Sequence, residues 1–514
     1  MATLGQQLGR EDALEQDRRS AREPGSLNSE EYVVKAMPSI LGKFDMVAIY
    51  LMIIFYITNS TVAASAGAAA FTYLALGGIA FFIPCVIATA QLGVMFPHEG
   101  SLYNWTHKAF GGYWSFFVAF CAWFPGVLVM IIDGDAIVVY IQGLNIHWLI
   151  EPWQQGLVII AVVAFSGVIA VQRFRMVKNT INMVAVLTFV AVFLLGLATI
   201  AWLANGHAAA TSFSHLSNWS INWTGAAANI SLFGLVTLAY LGIETPLNMG
   251  GELAKSGLAE RGKRKIITGH LFWGTLLVFI GYFVATFALL VVEGSSNGAT
   301  PFALVSTVLT SLGPIPGEIA AVCIMSFFVV SAVTYNCAYA RLLLVAGIDQ
   351  RLPARIGRLN KNRVPGNAII FQTVVAMGIT AIMFVLVPYI VHLSSPANLS
   401  TEMYNIILAA STLVWAISTL FLFINLVKFF TRDPQTFNKQ RIFPLPVLFI
   451  SVVLGSISCI LALVGTLFFS WIPTLISNSQ WWYIIGGLTG VCLVIAAIGS
   501  MLGSSEAAWQ DLNT

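Results

Sequence analysis

The chain has 514 residues, 58% of them hydrophobic and 9% charged, with a mean hydropathy of +0.84, which makes lipid its main solvent and excludes a soluble globular domain. A formal net charge of +3 leaves no basic excess for a nucleic-acid partner. The cysteines Cys85, Cys121, Cys323, Cys337, Cys459 and Cys492 lie in apolar stretches without CxxC spacing, which argues against a disulfide framework and a zinc site.

Residues 1–43 are polar, with Arg10, Glu11, Asp12, Asp17, Arg18 and Arg19 and no apolar run, and predict a cytoplasmic segment without a cleavable signal. The first apolar span then directs insertion. Spans follow at Phe44 to Ala66, Ala70 to Phe96, Tyr113 to Gln142, Gln155 to Gln172, Asn179 to Ala204 and Ala228 to Ala254. Six more run from Ile266 to Glu293, Pro316 to Gly347, Gly366 to Leu393, Glu402 to Phe430, Phe443 to Ile472 and Trp481 to Gly503. At about 1.5 Å per residue each spans a hydrocarbon core of about 30 Å, so the reading is an all-α membrane protein. Twelve spans place both termini on one side.

Charge decides which side. With a cytoplasmic N-terminus, all 25 Lys and Arg fall in the internal segments and their helix ends, from Arg10 through the cluster Arg261 to Lys265 to Arg441. External loops carry Glu151, Glu293, Glu318 and Glu402, together with the tripeptides Asn218-Trp219-Ser220 and Asn222-Trp223-Thr224. Those tripeptides act as glycosylation acceptors only on a eukaryotic secretory route.

Two spans are interrupted. In the sixth, Gly242, Glu244 and Pro246 occupy five positions. Pro246 removes an N–H donor and crowds the preceding turn, while Gly242 lowers the cost of leaving helical geometry. Exposed backbone at membrane depth is tolerated only against protein or a water-filled cavity, and a central Glu costs roughly 2.5 to 3.5 kcal/mol. The alternative is a proline kink with a protonated Glu244. In the first span, Thr58-Asn59-Ser60-Thr61 is poor chemistry for lipid, unless the hydroxyls bond back along the helix or pack small against a neighbour. Paired breaks in the first and sixth spans predict two five-helix halves, 44–204 and 228–430, in inverted repeat. Helices within 443–503 and a cytoplasmic tail, 504–514, then lie outside the repeat.

Several stretches carry a family resemblance. They are Leu76-Gly77-Gly78 through Phe82-Ile83-Pro84, then Glu99-Gly100-Ser101-Leu102-Tyr103-Asn104-Trp105 with Phe110-Gly111, and Tyr240 to Glu244 with Glu252 beyond. The last are Ala340-Arg341-Leu342-Leu343, Arg351-Leu352-Pro353, Leu359-Asn360-Lys361-Asn362 and Val364-Pro365. Together they resemble the amino acid-polyamine-organocation (APC) permeases, most of all the bacterial glutamate/GABA antiporter branch. The resemblance implies a LeuT-like fold that moves an amino acid or related amine by alternating access, without a cofactor.

A zwitterion needs N–H groups for its carboxylate and carbonyls for its ammonium, and two broken helices offer both. Thr58, Asn59, Ser60 and Thr61 are assigned to the carboxylate side, and the carbonyls of Ala239, Tyr240 and Gly242 to the amine. The resemblance further implies that Trp123, Val127 and Met130 face the site, that Tyr335 caps it, and that Trp415 stands where the antiporter branch has a Tyr. Each aromatic has core packing or an interface belt as its alternative. The sequence departs from the family's usual Gly-x-Gly turn in the first helix, where the first glycine is Gly67.

Energy coupling leaves fewer signals. No GxxxxGK[ST] loop is present, so ATP is not a direct driver. A sodium site would draw on Ser331 and Thr334, whose spacing departs from the adjacent pair usual in this fold. Thr188 stands where proton-coupled relatives often place a Lys. The remaining titratable candidates for gating or proton transfer are Glu244, Asp133 and Asp135, the last two being either a pair that shares a proton or a solvated rim. Substrate exchange needs no ion and is the default reading, with a proton-linked amine or polyamine permease as the alternative. A membrane enzyme would need paired His or clustered acids, and neither pattern is visible. The histidines lie mostly near span ends, and Leu258 to Lys265 reads as a solvated basic cap, with weak attraction for anionic lipid as the alternative.

Overall fold

The computed structural model describes residues 27–221, 232–237, 239–254, 259–300, 302–390, 396–472 and 475–512. The described structure is helical throughout. Its helices are α1 (Asn28–Ala36), α2 (Lys43–Ile54), α3 (Asn59–Ala64), α4 (Gly67–Met95), α5 (Ser101–Phe110), α6 (Gly112–Leu144), α7 (Pro152–Ala170) and α8 (Phe174–Ala204). After the sixth span come α9 (Ala259–Val292), α10 (Ala303–Leu312), α11 (Pro314–Ile348), α12 (Gly366–Thr380, continuing to Tyr389), α13 (Pro396–Arg432), α14 (Pro434–Gln440), α15 (Leu445–Phe468) and α16 (Asn478–Leu512).

Ten of the described helices are long and apolar enough to cross a membrane, and the chain is a multi-pass membrane protein. The first and sixth predicted spans are not among those ten, and each is interrupted. The first winds as α2, leaves helical geometry at Phe55 and resumes at Asn59. The sixth is helical over 232–237, opens around Gly242 at φ +95°, and resumes as the 3-10 helix Thr245–Glu252 with Pro246 in its first turn. Part of that span, and the second glycosylation tripeptide, lie outside the described residues.

Local chemistry accounts for smaller departures. Pro84 cannot donate to Ala80, the preceding stretch Gly78–Phe82 widens into a π-turn, and Ser458 Oγ on α15 donates to the freed Ala80 carbonyl at 3.0 Å. The short helices α1, α5, α10 and α14 were not among the predicted spans.

Helices α6 and α13 form the centre, with 78% of each apolar stretch buried, whereas α15 and α16 bury 33% and 28% and sit at the periphery. Large side chains such as Phe193, Ile200 and Phe449 remain exposed, as suits a lipid-facing surface. Helix α6 packs against α11 and α13, and α9 packs against α2, which brings both breaks into the interior.

Candidate substrate site between two broken helices

The breaks open on a common cavity of about 50 Å³. The first contributes Ile53, Ile54, Tyr56 and Asn59, and the second contributes Ala239 and Leu241. Val129 and Ile132 of α6, Tyr335 of α11, and Leu408, Ser411, Thr412 and Trp415 of α13 complete the wall. No ionised side chain is among these residues, so a charged guest would meet hydroxyls, an amide and peptide groups.

Tyrosines hold the broken backbone. Tyr335 Oη donates to the Ile53 carbonyl at 2.8 Å. Tyr282 Oη on α9 donates to the Ile54 carbonyl at 2.9 Å and has the Ala239 carbonyl 3.3 Å away. The same oxygen accepts from Tyr56 N–H at 3.1 Å and from Asn59 Nδ2 at 3.3 Å. One phenol therefore ties both interruptions together. A tyrosine in an apolar span has to place its hydroxyl on a partner, which is the signal in sequence for Tyr282.

The structure brings Asn59, Ala239, Tyr335 and Trp415 of the predicted residues to the cavity wall, and places the others elsewhere. Asn59, Ser60 and Thr61 spend their N–H groups on Tyr56, Ile57 and Thr58 carbonyls at 2.8, 3.1 and 3.0 Å. These turn bonds leave none of those three N–H groups free for a carboxylate. Thr61 Oγ1 bonds to the Thr58 carbonyl, while the Thr58 and Ser60 hydroxyls are buried without a partner. Tyr240 turns to α4, where its ring stacks on Phe82 at 4.5 Å and its hydroxyl donates to the Leu74 carbonyl. Gly242 lies against Trp415 and Ile53.

On α6 the predicted face is out of phase. Val127 and Met130 are buried in the core, and Trp123 Nε1 donates to Gln372 Oε1 at 3.1 Å on α12. Val129 and Ile132 take the wall instead, because a shift of two residues turns a helix face by about 200°. On α13, Leu408, Ser411, Thr412 and Trp415 share one stripe at helical spacing, a pattern that could have been read from Trp415 backwards.

Glu244 is buried beside the cavity, and Trp415 Nε1 donates to its Oε1 at 3.1 Å. Trp415 also meets Tyr335 and Tyr339 edge to face, at 6.1 and 6.0 Å between ring centres. Asp133 and Asp135 are fully buried on α6 rather than solvated at a rim. Ser331 and Thr334 are buried on α11, and Thr334 Oγ1 is spent on the Val330 carbonyl at 2.7 Å.

At the end of the bundle that carries the basic loops, three of the family-like stretches meet. Glu99 Oε2 accepts from Gly251 N–H at 2.8 Å, Ser101 Oγ donates to Asn248 Oδ1 at 2.6 Å, and Arg341 Nε donates to Glu252 Oε1 at 2.8 Å. These bonds hold the sixth span's far half against α5 and α11. Asp349, just past α11, accepts from Ser29 N–H and Oγ at 2.9 Å each and so docks α1. Burial pushes its carboxyl up to about 6.

Comparison with known proteins finds transporters among the relatives of this chain. The chain is 26% identical over 273 residues to the inner membrane transporter YjeM of Escherichia coli, covering 49% of this chain and 52% of that protein. It is 25% identical over 330 residues to the gamma-aminobutyric acid permease of Bacillus subtilis, covering 62% and 66%. Against the aromatic amino acid transport protein AroP of Corynebacterium glutamicum it is 22% identical over 369 residues, covering 71% and 75%. The matches to the first two span about half to two-thirds of those relatives' length. With its family model, that of the amino acid permeases, matching residues 41–504, the chain belongs to the amino acid permease family.

Proposed function

We propose that the protein is a secondary amino-acid transporter that exchanges one substrate molecule for another by alternating access. The observation that carries the reading is the cavity shared by two helix breaks. Peptide groups released at mid-membrane are costly unless they serve a guest or are capped, and here hydroxyls cap them reversibly. The two halves, 44–204 and 228–430, then act as a LeuT-like inverted repeat around the cavity. The sorting of Lys and Arg favours both termini on the cytoplasmic side, in keeping with a transporter of a bacterial inner membrane.

A cavity of about 50 Å³ is too small for an amino acid, so it must widen to load. Trp415 and Tyr335 are bulky members of a small cavity's wall, which favours a small or linear cargo such as gamma-aminobutyrate over an aromatic one. The test is counterflow in proteoliposomes preloaded with unlabelled gamma-aminobutyrate or each of the common amino acids. Transient accumulation of the matching radiolabelled compound, without an ion gradient, is expected. Absence of counterflow for every compound would refute the exchange reading.

A further inference from the structure

Asp133 follows Ile132, a residue of the cavity wall, but does not itself line the cavity. Its carboxylate is fully buried, and both oxygens lack a hydrogen-bond partner. The hydroxyls of Tyr56 and Ser331 stand against it, and neither has completed a hydrogen bond. None of the salt bridges formed among the described residues includes Asp133. The titratable groups that face it are Tyr56 from the first break, Tyr335 from α11 and Tyr404 from α13, with Asp135 two residues along α6 facing Tyr404.

An ionised carboxylate at this depth, with two neutral hydroxyls and no cation beside it, is strongly disfavoured. One proton resolves the whole group. A neutral Asp133 carries no buried charge, and it can donate from one oxygen to one hydroxyl while accepting from the other hydroxyl at its second oxygen.

We propose that Asp133 is a proton-carrying site, coupled to the cavity through Tyr56. Tyr56 both lines the cavity and completes the proton's surroundings, so a guest that moves the first break also changes the stability of the neutral carboxyl. On release the O–H bond breaks, its electron pair stays on Asp133, and the proton passes to water on the side to which the cavity opens. Reloading takes a proton from water. The proposal rests on the amino-acid transport reading and goes beyond exchange, because it predicts net proton movement.

The test uses the full chain in liposomes that enclose a pH-sensitive dye, with gamma-aminobutyrate as probe. In wild type, a substrate gradient should move protons, and an imposed pH gradient should drive accumulation. Asp133→Asn should keep measurable counterflow while losing both effects at least ten-fold. Equal proton movement in the variant, or wild-type uptake driven by sodium instead of protons, would overturn the proposal. Infrared difference spectra of the two proteins at neutral pH provide a readout independent of transport. A protonated-carboxyl band present in wild type and missing in Asp133→Asn supports the site even if no counterflow is seen, which would count against the transport reading alone. Identical spectra overturn the site.

Discussion

Arg341 Nε and Glu252 Oε1 lie 2.8 Å apart with neither side chain exposed, and a second carboxylate, Glu99, stands 3.9 Å from the same nitrogen. The guanidinium also donates to the Cys337 carbonyl and covers the Phe174 ring at 4.6 Å. Two acids thus lean on one cation, and that cation joins α11 to the second half of the broken sixth span. Removing it strands buried carboxylates, so Arg341→Gln should cost about 3–5 kcal/mol. Thermal unfolding in detergent should show a clear fall for Arg341→Gln and a smaller one when Glu252→Gln is added, since the pair is then neutral on both sides. Equal midpoints for Arg341→Gln and wild type would contradict this account.

Gly242 has a positive φ, and a Cβ there would sit 2.7 Å from Trp415 Cζ2 and 3.1 Å from Ile53 Cγ2. Gly242→Ala therefore combines about 1–2 kcal/mol of backbone strain with a collision in the cavity wall. Transport should be abolished in protein that still inserts. Gly487→Ala, where a Cβ meets nothing within 4 Å, is the control and should leave uptake unchanged.

Tyr282→Phe removes the hydroxyl shared by Ile54, Tyr56 and Asn59. Leaving those buried groups short of a partner should cost about 1–3 kcal/mol. The first break would then loosen, and hydrogen exchange of the Tyr56 amide should rise above wild type while that of α15 stays the same. An unchanged Tyr56 amide would mean that the break holds without the phenol.

Glu244→Gln keeps an acceptor for the Trp415 indole, so it should unfold at nearly the wild-type temperature, whereas Trp415→Phe loses the donor and should not. If Glu244 gates transport, exchange falls in Glu244→Gln while substrate binding by calorimetry persists. Full exchange with an unaltered pH profile would make Glu244 a purely structural residue.

Asp349 gives a pH dependence with a definite sign. Its carboxyl is raised from 3.8 to about 6, chiefly by burial, against the opposing Ser29 and Tyr103 hydrogen bonds and the nearby Arg351. The folded state therefore binds the proton more tightly, and the contribution is fully present below about pH 4 and lost as pH rises through about 6. Protection of the α1 amides, corrected for intrinsic exchange, should be higher at pH 5 than at pH 7.5. In Asp349→Asn, which keeps an acceptor for Ser29, that difference should vanish.

Composition, the sorting of basic residues and the polar or Gly/Pro interruptions determined by themselves that the chain is helical, crosses the membrane many times and breaks two helices, because each is a local property of the chain in lipid. The second break fell at Gly242, which has no Cβ to resist a positive φ, whereas the first lies at Phe55–Ile57, just ahead of the polar run, whose residues from Asn59 resume the helix. Only the tertiary structure decided which atoms face the cavity. Val129 and Ile132 replaced Val127 and Met130 through the rotational setting of α6, which packing against α11 and α13 fixes. Tyr282 joined the two breaks, and Asp133 met Tyr56 and Ser331, through contacts between residues far apart in the chain. Hydrophobic patterning sets what is buried, but the partner of a buried polar group is chosen by the geometry of the assembled helices.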